Sequence, residues 1–178
     1  PVDEVMRALD DLISAGKVLY IGISDTPAWI VSQANTLAEL RGWNRFVGLQ
    51  IEYSLIERTV ERELLPMARA FDMAVTPWGA IGGGILTGKY NKSQEGEKRY
   101  KEDEEVSRMN ERNLGIAAEV VKIAEAIGCA PSEVAVNWVR QQPGLISPII
   151  GARNHRQLTE NMRCLDLPLS DEHLARLH

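Results

Sequence analysis

Several apolar segments of this chain end on residues able to do chemistry. Ser24 and Asp25 follow "VLYIGI", Gln50 closes "RFVGLQ", Trp78 closes "MAVTPW", and Arg153 follows "ISPIIGA". A hydroxyl and an amide can grip a carboxamide, a flat indole can stack on an aromatic ring, and a guanidinium can fork onto a phosphate. Taken singly, Gln50 could equally be a structural amide and Trp78 a core indole. Just after Trp78, "TPWGAIGGGILTGKY" contains three consecutive glycines, Gly82, Gly83 and Gly84. Glycine loses the most freedom on ordering, so the run is either a loose connection or a place where backbone amides approach a phosphate. Together these residues suggest an aromatic dinucleotide as ligand.

The elements that must position them alternate. "PVDEVMRALDDLISAGK" repeats apolar residues every three or four positions and predicts a helix stopped at Gly16. The β-branched run 18–24 predicts a strand buried on both faces. Residues 28–42 read as a helix closed by Gly42, 45–54 as a strand, 60–72 as a helix interrupted or restarted at Pro66, and 73–78 as a third strand. Helical patterns at 114–127 and 132–142 precede a fourth strand over 146–152. Two further helical segments follow, the last capped by Ser170. Strands embedded between helices imply a parallel sheet with helices on its faces, where side chains at the carboxyl ends of the strands share one rim. The pattern fits an open doubly wound sheet or part of a (β/α)8 barrel.

Composition excludes several functions. The 178 residues carry a net charge of −5, so no basic face is available to replace the counterions of a nucleic acid. No apolar run reaches the roughly 18 residues of a membrane helix, and no charged-then-apolar leader opens the chain. Cys129 and Cys164 form no spacing motif and suit a reducing compartment, so the cytoplasm is expected. Residues 91–112 are almost entirely polar, which reads as a mobile charged loop, and its length suits a flap over a ligand. The helix predicted after Arg153 would carry Gln157, Glu160 and Asn161 on one face with it, its amino terminus favouring anions.

The segments "MRALDDLISAGKVLYIGIS", "LQIEYSLIER", "GGGILTGKY" and "PIIGARNHRQLTENM" resemble the aldo-keto reductases. The likeness is to the branch that includes the potassium-channel β subunits and related bacterial reductases, and it runs through essentially the whole chain. It implies a (β/α)8 TIM barrel, of which residues 1–178 supply about the carboxyl-terminal half as one domain with four parallel strands. It also implies NADPH-dependent reduction of aldehydes and ketones. By this resemblance Ser24 and Gln50 hold the nicotinamide carboxamide, and Asp25 stands where the family usually has Asn. Trp78 stacks on the nicotinamide. The backbone of Gly79, Ala80, Ile81, Gly82 and Gly83 lines the pyrophosphate where relatives commonly read Ser-Pro-Leu. Lys89 and Arg99 meet phosphates. Gly151 and Arg153 take the 2′-phosphate that separates NADPH from NADH, and Gln157, Glu160 and Asn161 meet the adenosine end.

The family's catalytic Asp, Tyr, Lys and His belong to the first four strands and their loops. The tyrosines and histidines of this chain do not fall at those positions, so no catalytic residue is assigned. Four strands cannot close an eight-stranded barrel. The chain starts at Pro1 without an initiator Met, and the expectation is that it belongs to a longer reductase whose amino-terminal half is its partner. The other readings are an NADP(H)-sensing regulatory subunit and a stand-alone half-barrel. Substrate and oligomeric state stay open.

Overall fold

Helix and strand alternate in the computed structural model, which describes residues 1–90 and 108–178. The residues fall into two compact units. One comprises Pro1–Glu52, Thr59–Thr76 and Gly144–Ser147, the other Tyr53–Arg58, Pro77–Pro143 and Pro148–His178.

The first unit runs α1 (Val2–Ser14), β1 (Ile21–Ser24), α2 (Ala28–Arg41), β2 (Phe46–Gln50), a 3-10 turn (Thr59–Glu61), α3 (Leu64–Ala70) and β3 (Ala74–Val75). The strands are parallel in the order β1-β2-β3, as helical crossovers require. Ile21 pairs with Phe46 but Gly22 with Gly48, so Val47 forms a bulge that resets the register. Gly22 is glycine for a steric reason: a Cβ there would sit 3.1 Å from the Gly48 carbonyl oxygen. Phe46, Leu49 and Val75 of the sheet are buried, as are Val31, Ala34 and Ala38 of α2. Asn35, fully buried on α2, donates to the Phe46 carbonyl (3.1 Å) and accepts from its N–H (2.9 Å). Both backbone groups at the start of β2 are thereby satisfied without a neighbouring strand. Asp10 of α1 accepts two hydrogen bonds from Asn44, backbone and side chain, which hold its carboxyl below the usual range.

Two expectations are corrected. The strand predicted over 18–24 begins only at Ile21 and is not buried on both faces: Leu19 and Tyr20 are exposed, and within the strand only Ile21 is buried. Among the described residues β1 pairs with a strand on one side alone. The strand predicted over 146–152 is reduced to a single parallel bridge between Ile146 and Val75. Pairing goes on past the bridge, with Ser147 donating to the Val75 carbonyl and Ile149 to the Pro77 carbonyl, but Pro77 has no N–H to give to the Ser147 carbonyl, so no second bridge forms. The sheet therefore has three strands and a bridge rather than four strands.

The second unit contains a 3-10 segment (Gly82–Thr87), α4 (Glu111–Ile127), α5 (Pro131–Arg140), α6 (His155–Met162), a 3-10 turn (Arg163–Leu165) and α7 (Asp171–Leu177). α4 starts three residues earlier than its apolar pattern, because Asn110 accepts from the Asn113 N–H and caps it. The predicted loop over 91–112 therefore ends by Asn110, and its residues 91–107 lie outside the described residues. Pro131 opens α5 at a position where a missing N–H is harmless, and Ser170 caps α7 by accepting from the His173 N–H. Val120 and Ile123 of α4, Val134, Ala135 and Trp138 of α5, and Ile85 and Leu86 form the core. Cys129 and Cys164 are free thiols, and burial pushes the pKa of each up.

Arg176 of α7 donates to Glu119 of α4 at 3.0 and 2.5 Å, and this bond, with help from Lys122, holds the Glu119 carboxyl below its ordinary range. A lowered folded-state pKa stabilises above the unfolded pKa, and that contribution fades as pH falls through the folded one. The pair is partly exposed, so solvent screening keeps it below about 1 kcal/mol. Arg176→Ala is expected to lower the Tm by no more than about 2–4 °C at pH 7. The difference from the parent should vanish in a thermal series taken below the Glu119 pKa; a difference that persists there would contradict this origin.

Candidate functional site

At the carboxyl end of the first unit's sheet, Ser24 and Gln50 are direct register partners on β1 and β2. Paired strands lie about 4.8 Å apart, so the hydroxyl and the amide stand side by side. Just beyond, Asp25 adopts φ +43°, a left-handed conformation that Asp and Asn tolerate best among non-glycine residues. The chain turns there with the Asp25 N–H donating to the Gln50 carbonyl (3.3 Å). The Ser24 hydroxyl reaches Asp25 Oδ2 at 3.4 Å, and the Thr26 hydroxyl donates back to the Ser24 carbonyl at 2.9 Å. Gln50 is exposed, and its side-chain amide has no hydrogen-bond partner among the described residues. A structural amide would have its partners, so this one is open to a ligand.

In the second unit, Trp78 fastens the backbone by accepting from the Tyr53 N–H (3.2 Å), while its side is 36% exposed and so not core. Gly82, Gly83 and Gly84 all have positive φ (56°, 65° and 99°), which no run of side-chain-bearing residues would adopt. The turn is tied internally: the Gly82 N–H donates to the Gly79 carbonyl, the Gly84 N–H to the Ile81 carbonyl, and the Thr87 hydroxyl to the Gly84 carbonyl. Those two amides are thus already engaged by the chain. Lys89 folds back over the turn. Its Nζ lies 3.1 Å from where a Gly84 Cβ would sit and 4.9 Å from the Tyr90 ring centroid. The three glycines of the turn are buried, and Lys89 is the exposed cation beside them, a group that suits a phosphate.

Arg153 is exposed but is not on the following helix, which begins at His155 with Asn154 as its cap. Asn154 Oδ1 accepts from the Gln157 N–H (3.0 Å), and Gln157 Oε1 accepts from the Arg153 N–H (2.8 Å). This reciprocal cap, close to a capping box, fixes the Arg153 backbone. Asn154 was not among the sequence-predicted site residues, though Asn followed three residues later by Gln is the signal that would have found it. Gln157 retains only its amide N–H groups for a ligand. Glu160 faces Arg156 at 3.5 Å, and Asn161 is only 6% exposed. Of the face drawn through 153, 157, 160 and 161, only Arg153 is corrected: Gln157, Glu160 and Asn161 lie three or four residues apart on α6 and share a side of it, with different burials. A Cβ at Gly151 would meet nothing within 4 Å, so the fold itself does not demand glycine there. Arg99 lies outside the described residues.

These contacts separate two glycines experimentally. Alanine at position 82 would hold a left-handed φ and place its Cβ 2.5 Å from Ile56 Cδ1. Gly82→Ala is expected to destabilise by about 1–2 kcal/mol in urea unfolding, and Gly151→Ala by less than about 0.5 kcal/mol. Equal effects would contradict the strain assigned to position 82.

Comparison with known proteins places these residues in a family context. A norsolorinic acid reductase of Emericella nidulans is 36% identical over 176 residues, covering 99% of this chain and 44% of that protein. Norsolorinic acid reductase A of Aspergillus parasiticus is 35% identical, with the same coverages. An aryl-alcohol dehydrogenase of Phanerodontia chrysosporium, named for NADP(+), is 34% identical over 186 residues, with 99% and 47% covered. The chain spans about half the length of these relatives. The model of the aldo/keto reductase family matches residues 1–178 from end to end, and this chain belongs to that family.

Proposed function

We propose that this chain is the cofactor-binding half of an NADPH-dependent oxidoreductase that reduces aldehydes or ketones to alcohols. The observation that carries the reading is the Ser24–Gln50 register pair with its unengaged amide at the carboxyl ends of parallel strands, where barrel enzymes gather their chemistry. The name of the NADP(+) aryl-alcohol dehydrogenase supports the choice of cofactor. In this reading a (β/α)8 barrel is completed by the part of the protein corresponding to the relatives' remaining length. The protein works in the cytoplasm.

Ser24 and Gln50 grip the carboxamide, and the Asp25 carboxylate accepts amide protons. Trp78 covers one face of the nicotinamide, so substrate approaches the other. The backbone from Gly79 to Gly83, apart from the Gly82 N–H that the Gly79 carbonyl takes, holds the pyrophosphate with Lys89 and Arg99. Gly151 leaves room beside Arg153 for the 2′-phosphate, while Gln157, Glu160 and Asn161 border the adenosine. When bound, the reduced nicotinamide supplies a hydride to the carbonyl carbon. The alcohol oxygen then needs a proton from a positioned acid. Tyr53 is unsuited, being 1% exposed and packed on Trp138. The acid is assigned to the part of the protein beyond this chain.

The test uses the complete protein in fluorescence titration with NADPH and turnover assays on a panel of aryl and alkyl aldehydes. Gln50→Ala is expected to weaken NADPH by about five- to tenfold. Cofactor binding without turnover of any carbonyl would replace the enzyme by a nucleotide-sensing regulatory subunit. Failure to bind either nicotinamide nucleotide would overturn both.

A further inference from the structure

The chain reverses at Gly88, and the reversal decides where the next two side chains go. Gly88 takes φ +74°, and its N–H donates to the Ile85 carbonyl (3.1 Å). A Cβ there would stand 2.4 Å from Val121 Cγ2 on α4, so a side chain is excluded as well as strained. Lys89 thereby returns over the turn it has just left. Its Cε and Nζ both lie 3.1 Å from where a Gly84 Cβ would be, so any side chain at 84 would displace the lysine's end. The Tyr90 ring also meets the ammonium, its centroid 4.9 Å from Nζ. Neighbours in an extended chain point to opposite sides, so this contact between adjacent residues is a product of the turn.

The Tyr90 hydroxyl oxygen is buried and has no hydrogen-bond partner among the described residues. Buried tyrosines ordinarily find one, and an orphaned hydroxyl costs stability. Closed off from solvent, that oxygen is also out of reach of a ligand in an open site. What the position offers Lys89 is the face of the ring, whose quadrupole attracts a cation. A lysine is a point charge on a flexible four-carbon stem, and it loses rotamer freedom when it meets an anion. An ammonium already held in place loses less, which favours binding.

We propose that Tyr90 is a positioning residue for cofactor binding: its ring and the side-chain-free Gly84 form a slot that holds the Lys89 ammonium ready for the pyrophosphate. This rests on the proposed role of Lys89 at the pyrophosphate and adds the residue that prepares it. The pyrophosphate is common to both nicotinamide nucleotides, so the slot serves NADPH and NADH alike, whereas Arg153 serves NADPH alone.

The experiment titrates the complete protein with NADPH and with NADH in four variants: Tyr90→Leu, Tyr90→Phe, Lys89→Met and the double variant of Lys89→Met with Tyr90→Leu. Tyr90→Leu is expected to weaken both nucleotides about two- to fivefold. Tyr90→Phe keeps the ring face and should keep the parent affinity. In the Lys89→Met background, Tyr90→Leu should add nothing, although a general loosening of the turn would still show there. The slot itself is read without nucleotide, by NMR of protein carrying ¹³C at the lysine ε-carbons. The Lys89 ε-proton resonance, assigned by its loss in Lys89→Met, should lie upfield of the other lysines through the Tyr90 ring current. A parent resonance among the other lysines overturns the proposal. So does a Tyr90→Leu protein with parent affinity, a Tyr90→Phe protein as weak as Tyr90→Leu, or an undiminished Tyr90→Leu loss in the Lys89→Met background. A parent that binds neither nucleotide defeats the proposed cofactor role and this proposal with it; the other results, in a parent that binds, defeat the slot alone.

Discussion

Arg153→Ala is expected to weaken NADPH binding by about 1.5–3 kcal/mol, roughly ten- to 150-fold, while changing NADH binding far less. The only difference between the two nucleotides is the 2′-phosphate, so a guanidinium that meets it should discriminate by the worth of a charge-assisted bond. The local structure prepares that residue. Its backbone is held by the Gln157 side chain, and the Asn154 cap directs the amino terminus of α6 toward the same loop. Two consequences separate this role from a general electrostatic one. Arg153→Lys keeps the charge but loses the fork, so it should recover only part of the NADPH affinity. Gln157→Ala should weaken NADPH indirectly by releasing the Arg153 backbone. Parallel titrations with both nucleotides are the measurement, and equal losses for NADPH and NADH would contradict the 2′-phosphate assignment.

The largest expected effect on stability is at Trp138. Its side chain is fully buried, with the Tyr53 ring at 5.3 Å, the His178 ring at 5.9 Å, and the Arg58 guanidinium over it at 5.1 Å. Trp138→Ala removes the largest fully buried side chain from the second unit and should cost about 3–5 kcal/mol, lowering the Tm on the order of 10 °C. The indole N–H has no hydrogen-bond partner among the described residues, so the native residue carries a penalty of its own. Trp138→Phe removes that donor while keeping an aromatic ring, and should cost less than half as much as alanine. Denaturant unfolding of both variants is the check. A phenylalanine variant as unstable as the alanine one would show that buried volume does not govern this position.

Features set by neighbours a few residues apart were legible in the sequence. The Ser170 cap and Gly42 at the end of α2 follow from local donors, acceptors and backbone limits, and the structure has both. Burial was less legible. "VLY" before Ile21 has the composition of a covered strand, yet burial depends on what lies across from a residue, and among the described residues Leu19 and Tyr20 are left exposed. The fourth strand was cut short by a residue outside its own apolar run: Pro77, on the segment it pairs with, has no N–H to donate.

The candidate site divides along the same line. By itself, the sequence determined which residue types stand at the ends of the apolar segments. It also marked Gly82–Gly84 as a place where the backbone departs from a helix or strand, either a loose connection or an approach to a phosphate, because those are properties of single residues and their neighbours. It left Gln50 between a structural amide and a binding one, and it could not give the side-chain partners of Gln157 and Glu160. Only the tertiary structure supplied these surroundings. Register between strands distant in sequence set Gln50 beside Ser24, with no side-chain partner among the described residues. The folded loop gave Gln157 Oε1 to the Arg153 N–H and set Glu160 against Arg156. A hydrogen bond is a matter of tenths of an ångström, and only the folded chain brings two groups that close.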